Sequence, residues 1–386
     1  MNSKKKKILF VSNEYSVGGS SVSLKSLIIG LRRNLGDEIE IIVMLPWNIR
    51  RKKAAKDFFE TAGIQCKEML YRNNYKRCNQ KKNVLHCIKG VLNRLSVLPV
   101  GIYMKWKGFD WVCSNSSAVD VGAEAAMTVG IPHAYYVREF MDETQGIEYC
   151  DVKKMQRLLE KSDIVLFVSK ALEEWYKKKY RLNKTVQFYD GFVLEDYYVK
   201  NHVVMNENVI RLIQVGRLEE AKGVSDSIEI MKMLKDEGIH CFQLEFVGAG
   251  SMQYENQMRE KIRQYHLEQQ ILISPFVSNI KEKLALADVL LMNSFSEGFG
   301  RVTVEGMLAG CLAVGRTNAG TLEIIEHEKN GMLYTTSAEA VNILRDIANN
   351  RTKYIELADY GQRWALEEFD CTKTAKKFCH QLHISK

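Results

Sequence analysis

Short runs of β-branched and aliphatic residues alternate along the chain with longer stretches in which apolar residues return every three or four positions. An apolar run of four to six residues fits a strand buried on both faces, whereas the three-to-four spacing marks an amphipathic helix. This pattern predicts strands at 8–12, 39–44, 111–114, 133–137, 164–168 and 186–189. The helices between them fall at 23–33, 52–62, 119–129, 152–161 and 170–180. A polar, strand-poor stretch, 195–208, reads as a linker, and beyond it the rhythm restarts. The second set of strands is predicted at 210–215, 241–247, 270–274, 289–293, 311–314 and 331–334, with helices at 224–236, 252–265, 281–286, 302–309 and 338–349. Strands that alternate with helices build parallel sheets from βαβ units, so two doubly wound α/β domains are expected in tandem, 1–195 and 196–368. Residues 354–384 read as helical throughout, and the end of the chain, 369–386, is expected to pack back towards the first domain. Ligands of open α/β sheets lie beyond the carboxyl ends of the strands, so functional residues should occupy the loops that follow strands, facing a cleft between the domains.

Composition narrows the class. With 386 residues, 46% hydrophobic, 26% charged and only four prolines, the chain has material for two cores and none of the bias of a disordered or collagenous protein. No run approaches the roughly 18 apolar residues of a spanning helix. The lysines at 4–7 lead straight into the first predicted strand, which reads as a cytoplasmic start and not as a signal peptide. Nine cysteines, an odd number without a CxxC pair, suit reduced thiols of the cytoplasm. Cys379-His380 has no second pair at ligand spacing, so no metal is expected.

Charge is unevenly spread. Residues 1–195 hold 33 Lys and Arg against 21 Asp and Glu, while 196–386 hold 22 against 26. Within the first half, 48–109 alone holds 15 basic and 3 acidic side chains, which calls for an anionic partner.

The sharpest local signal is Ser296-Glu297-Gly298-Phe299-Gly300-Arg301-Val302-Thr303-Val304-Glu305-Gly306, placed after a predicted strand and opening a helix. A glycine turn there lets backbone N–H groups approach an anion, and the helix N-terminus adds positive partial charge. Glu297 precedes the turn and Glu305 lies further into the helix, so the two meet one ligand at different points and do not form an acid/base dyad. After the first strand of the same domain comes Gly216-Arg217 with Lys222-Gly223, a guanidinium and an ammonium suited to diphosphate oxygens. A third strand ends in Gly248-Ala249-Gly250. Taken alone, these glycines would only make tight turns and Glu305 would be a surface carboxylate.

Together with Gly320, Glu323 and Asn330-Gly331, this ordered set resembles the retaining glycosyltransferases of family 4, whose fold is GT-B: two Rossmann-like domains facing across a central cleft. The resemblance spans the second domain. It extends to the first through Gly18-Gly19, similar to the family's glycine loop at the first helix N-terminus, beside donor phosphate and acceptor. Many relatives carry a donor-contacting histidine after the strand at 133–137. Here Arg138-Glu139-Phe140 stand there, so Arg138 and Glu139 inherit the position as active-site candidates, and His133 reads as a packed or capping residue.

The resemblance implies that Arg217 and Lys222 neutralise a diphosphate leaving group. It also implies that backbone amides around Phe299–Val302, with Gly298, Gly300 and Arg301, hold sugar and phosphate, that Glu297 contacts sugar hydroxyls, and that Glu305 binds the ribose. No metal or other cofactor is implied, and the leaving phosphate would act as base, with attack on the face it departs from. The base, read near 275–278, is expected to be uracil more often than guanine. The acceptor would be a saccharide, polyprenyl-diphosphate-linked, of a bacterial surface polysaccharide. Two other readings stay open: a catalytically degenerate sugar-nucleotide-binding subunit, and a GT-B nucleotide-sugar epimerase.

The basic stretch bears on the acceptor. The run 50–53, Lys76-Arg77 and Lys81-Lys82 precede 91–107, an apolar segment with basic flanks. That segment either lies on an anionic membrane surface, making the enzyme peripheral on the inner face, or is a core helix under a solvated basic face. No nucleic-acid-reading motif accompanies the charge.

Overall fold

A computed structural model of the chain describes residues 5–47, 54–78, 80–81, 83–142, 146–202, 205 and 208–384. The basic run 50–53, Lys82, the first two positions of the predicted helix 52–62 and part of the 195–208 stretch lie outside the described residues. The chain forms two compact units, Met1–Val193 together with Asp370–Lys386, and Leu194–Phe369.

The first unit runs β1 (Lys6–Val11), α1 (Gly19–Leu35), β2 (Ile39–Pro46), α2 (Ala54–Thr61), β3 (Gln65–Met69), β4 (Tyr75–Arg77), α3 (Val84–Lys107), β5 (Trp111–Ser114), α4 (Val121–Val129), β6 (His133–Val137), β7 (Ile147–Tyr149), α5 (Val152–Lys161), β8 (Ile164–Phe167), α6 (Lys170–Lys179) and β9 (Thr185–Gln187). Its sheet has the order β3-β2-β1-β5-β6-β8-β9 and is parallel throughout. Ile8, Leu9, Phe10 and Val11 are all fully buried, as the uninterrupted apolar run requires of a central parallel strand. The strand order reverses between β1 and β5, where Val11 pairs with Ser114.

Two strand features are absent from the sequence reading. Strand β3 is an edge strand whose five residues are exposed or half-buried, so no apolar run announces it. Strands β4 and β7 form a separate antiparallel ribbon, three residues each, pairing Tyr75 with Tyr149.

The second unit runs β10 (Ile210–Val215), α7 (Val224–Asp236), β11 (Phe242–Val247), α8 (Met252–Gln264), β12 (Ile271–Ser274), α9 (Lys281–Leu284), β13 (Val289–Met292), α10 (Arg301–Ala309), β14 (Leu312–Arg316), α11 (Thr321–Ile324), β15 (Met332–Tyr334), α12 (Ser337–Asn349) and α13 (Arg351–Glu368). Its parallel sheet has the order β12-β11-β10-β13-β14-β15, with the reversal between β10 and β13. Ile210, Leu212, Phe242, Leu244, Phe246, Val289, Leu291, Leu312 and Val314 make the centre of its core.

The expectation of one continuous helix over 354–384 is corrected. The segment breaks at Phe369-Asp370, and a last helix, α14 (Cys371–Gln381), follows. The cause is Asp370, whose carboxylate accepts from Thr372 N at 2.6 Å, a cap that needs an extended backbone at that residue. Cys371 N donates to Phe192 O at 2.9 Å, which ties the returning chain to the first unit. There α14 lies on α1 so closely that a Cβ on Gly30 would stand 2.2 Å from Cys371 O.

Candidate functional site

The loops after β10, β13 and β14 are wired into one structure. Gln214, near the end of β10, donates from Nε2 to Lys222 O at 2.7 Å and accepts from Ser227 Oγ. Asn293, just past β13, donates from Nδ2 to Gly223 O at 3.1 Å, and Phe295 N donates to Ala221 O at 3.0 Å. The turn before α7 is thereby clamped to the loop before α10. Across that clamp Lys222 Nζ lies 2.6 Å from Glu297 Oε1, both side chains mostly buried. From the β14 side, Gly320 N donates to Glu297 O at 3.1 Å and Asn318 Nδ2 to Ser294 O at 2.6 Å.

Helix α10 starts from Gly300, whose φ of 91° suits glycine far better than any residue with a Cβ. Its N-cap residue, Gly300, has no side chain to cap the first turn, and Thr303 N donates to Gly300 O at 2.9 Å. Thr303 is fully buried, and its Oγ1 has no hydrogen-bond partner among the described residues. A buried hydroxyl without a partner, in the first turn of an uncapped helix, is an arrangement that an anion completes. Phe299 is buried and packs edge-on against Phe369, with centroids 5.8 Å apart. Val302 packs against the small cluster around Leu290. Gly298 stands inside the turn between Glu297 and Phe299.

Glu305 is buried, with its carboxylate 3.6 Å from Arg301 one helical turn earlier. Tyr197 approaches the same pair. Burial pushes its phenol above the usual range and Glu305 adds to this, while Arg301 opposes it. Arg217 is placed differently from Lys222: its side chain is 74% exposed and meets Glu219 at 3.0 Å. Of the two expected cations, only Lys222 is seated in the clamp.

Gly248 and Gly250 face the neighbouring loop. A Cβ on Gly248 would stand 1.8 Å from Gly216 O, and one on Gly250 would stand 2.4 Å from Leu218 O. Gly216 N donates to Val247 O and Leu218 N to Ala249 O, both at 3.0 Å. These glycines let two loop backbones run side by side.

In the first unit, Gly18 precedes α1 as its N-cap residue and Gly19 opens the helix. Ser21 N donates to Glu14 Oε2 at 3.1 Å, so a carboxylate that sequence reasoning missed takes a first-turn amide. Arg138 is bound inward: its Nε donates to Asn115 Oδ1 at 3.2 Å, one terminal nitrogen donates to Ser23 Oγ at 2.6 Å and pairs with Asp190, and the guanidinium stacks 3.8 Å from the Tyr136 ring. Glu139 is half-buried and accepts from Ser116 Oγ at 2.6 Å and from Ser117 N and Oγ at 2.9 Å. Burial pushes its carboxyl up, against those serine donors. His133 is fully buried between Ser114 Oγ and Ser162 Oγ, each at 2.9 Å, and burial pushes it down to about 3.

Sequence reasoning also missed a second cation of the clamp. Arg316, at the end of β14, donates to Asn293 Oδ1 at 2.9 Å, pairs with Asp226 and stacks 4.7 Å from the Phe295 ring. Nothing in the linear spacing of Asp226, Asn293 and Arg316 marks them as neighbours. Among the described residues, no three His, Cys, Asp or Glu side chains gather as metal ligands would.

Residues 199–364 match the family described as glycosyl transferases group 1. The chain is 25% identical over 233 residues to the N-acetyl-alpha-D-glucosaminyl L-malate synthase of Bacillus anthracis, covering 57% of this chain and 59% of the relative. It is 32% identical over 132 residues to the putative colanic acid biosynthesis glycosyltransferase WcaL of Escherichia coli, covering 32% of each. These matches thus span less than two thirds of either relative. In structure it is similar to Anabaena HepE in complex with UDP and glucose, with a TM-score of 0.79 and 21% identity, over 98% of this chain and 99% of the other.

Proposed function

We propose that the chain, whose residues 199–364 match the group 1 glycosyltransferases and whose fold is GT-B, transfers a sugar from a nucleoside-diphosphate sugar, with a UDP-sugar as donor, to a saccharide acceptor. The observation that carries this reading is the clamp in which Lys222 and Glu297 meet at 2.6 Å beside the uncapped start of α10. Breaking a sugar–diphosphate bond builds negative charge on the leaving oxygen, and a seated ammonium with preorganised amides stabilises that charge. Lys222, the first amides of α10 and the Thr303 hydroxyl are the groups available for it. On this reading the site's own cations hold the diphosphate and no metal is needed.

Glu297, fixed by Lys222, would accept from sugar hydroxyls, and Glu305, oriented by Arg301, from the ribose. Retention would follow from attack on the face the diphosphate leaves: the acceptor hydroxyl forms the new bond to the anomeric carbon, the bond to phosphate breaks, and the leaving phosphate takes the hydroxyl proton. A polysaccharide acceptor is supported by the likeness to the colanic acid transferase, and a lipid-linked one by the basic first unit.

A second reading keeps one specific observation in its favour. Arg138 and Glu139 stand where relatives place a donor-contacting histidine, and both are committed to internal bonds, as a sugar-nucleotide-binding subunit without turnover would tolerate. One experiment separates the two: nucleoside diphosphate release from a panel of UDP- and GDP-sugars in EDTA, with acceptor saccharides. The expected result is release from one donor, reduced about 100-fold in kcat by Lys222→Ala. Glu305→Ala should instead raise the Kd for the nucleoside diphosphate, because ribose bonds serve ground and transition state alike. Tight nucleotide binding without release from any donor would select the silent subunit, and release that stops in EDTA would overturn metal independence.

A further inference from the structure

Helix α3 has its polarity reversed. Val84, Ile88, Val91, Leu95, Leu98, Ile102 and Trp106 recur at spacings of three and four, which places them on one face. That face is turned to solvent, with exposures from 48% for Ile88 to 75% for Trp106. The opposite face, packed on the unit, carries polar side chains: His86, Asn93 and Ser96 are buried with Val100 and Met104. Asn93 is held there by Asp120 at 2.7 Å and by both backbone atoms of Arg72 at 2.8 Å. Val100 and Met104 do join the core of the unit, but the outer face of the helix is apolar and not the solvated basic face of an ordinary core helix.

The patch extends beyond the helix. Arg72 reaches Trp47 O at 3.0 Å, and Trp47 and Leu70 are themselves exposed. Charge identifies the occupant. The 24 residues of α3 include Lys89, Arg94, Lys105 and Lys107 and no acidic residue, and Lys67 of β3 lies over the Tyr103 ring at 5.6 Å. A second copy docked on this face would set cations against cations. At about 1.5 Å per residue the helix is some 36 Å long, yet no helix among the described residues is long and apolar enough to cross a membrane. An apolar stripe with basic flanks and a terminal tryptophan fits the headgroup layer of an anionic bilayer, which it enters lying flat.

We propose that α3 is a membrane-docking helix, with the Val84–Trp106 stripe immersed in an anionic bilayer surface and Arg94, Lys105 and Lys107 at the lipid phosphates. The inference stands on the helix itself and is measured without any donor sugar, so it can fail while the transferase reading holds, and the reverse.

The test is flotation of the full chain with phosphatidylcholine vesicles, with and without about one third phosphatidylglycerol. Binding is expected to the anionic vesicles, and each of Lys105→Gln and Lys107→Gln should weaken it roughly fivefold. Leu95→Asp with Leu98→Asp should abolish it. Both positions are more than 60% exposed, so the fold should survive, checked by an unchanged circular dichroism melt. Brominated lipid should quench fluorescence of the wild type and much less of Trp106→Phe. Equal partition into both vesicle types, no binding at all, or full binding by the double Asp variant would overturn the proposal. So would a wild-type dimer in sedimentation that the double Asp variant dissolves, since the face would then be covered by a second copy.

Discussion

Single buried side chains in this chain divide into those held wholly by their neighbours and those that the proposed function sets against a ligand. His133 belongs to the first group. It is neutral between two serine hydroxyls, with its folded-state value pushed down to about 3. A group whose folded value lies below its unfolded one adds stability above the unfolded value, near 6.5, and loses it as pH falls towards the folded one. Between pH 7 and pH 5 this one ring should cost the protein about 2 kcal/mol. Urea unfolding of the unit that holds it, at both pH values, checks this: His133→Gln should lose that much less on acidification than the wild type. Equal losses would show that the ring takes up no extra proton on unfolding. Glu305 belongs to the second group, and its spacing of eight residues from Glu297 across a glycine turn was legible in the sequence. The roles of Arg138 and Glu139 were not, because their partners, Ser23, Asn115, Asp190, Ser116 and Ser117, come from three other stretches of chain.

At the scale of elements, central parallel strands announced themselves because burial on both faces demands an apolar run, and 210–215, 111–114 and 133–137 coincide with β10, β5 and β6. Strand β3 and the β4–β7 ribbon did not. They lie half-exposed, and their stability comes from pairing with distant chain that no local pattern encodes. The start of α3 was also missed. Its cap is Asn83 with His86, which exchange bonds as a capping box, in place of the usual Ser or Thr with Glu. The glycine loops after β10 and β11 show what spacing can and cannot reveal: the motif was visible, while its use in bringing two backbones together was not. Gly248→Ala would force the Gly216 carbonyl, 1.8 Å from the new Cβ, out of the loop that leads to Lys222. The expected outcome is a loss of about 1–3 kcal/mol in stability together with weakened nucleotide binding, read by calorimetric melting and titration of UDP. Unchanged binding in a destabilised variant would show that loop geometry and ligand site are independent.

In the whole molecule the first unit is discontinuous: the chain leaves it at Val193, builds the second unit and returns at Asp370. The return matters to the core, because the Phe378 ring, fully buried on α14, lies 5.8 Å from Phe10 of the central strand and 6.3 Å from Phe188. Trp111 Nε1 adds a bond to Leu382 O at 3.0 Å. The last helix thus completes a core whose first strand begins at Lys6. The clamp residues Lys222, Asn293, Glu297, Thr303, Glu305 and Arg316 all lie within Leu194–Phe369. Truncating Phe378 to alanine should therefore cost the first unit about 3–5 kcal/mol and leave the proposed donor site intact. Urea unfolding followed by circular dichroism should show one transition moved to lower denaturant, while UDP titration at low denaturant returns the wild-type Kd. If both the transition and the nucleotide affinity shifted together, the two units would fold as one cooperative body and the donor site would depend on the helix that closes the other unit.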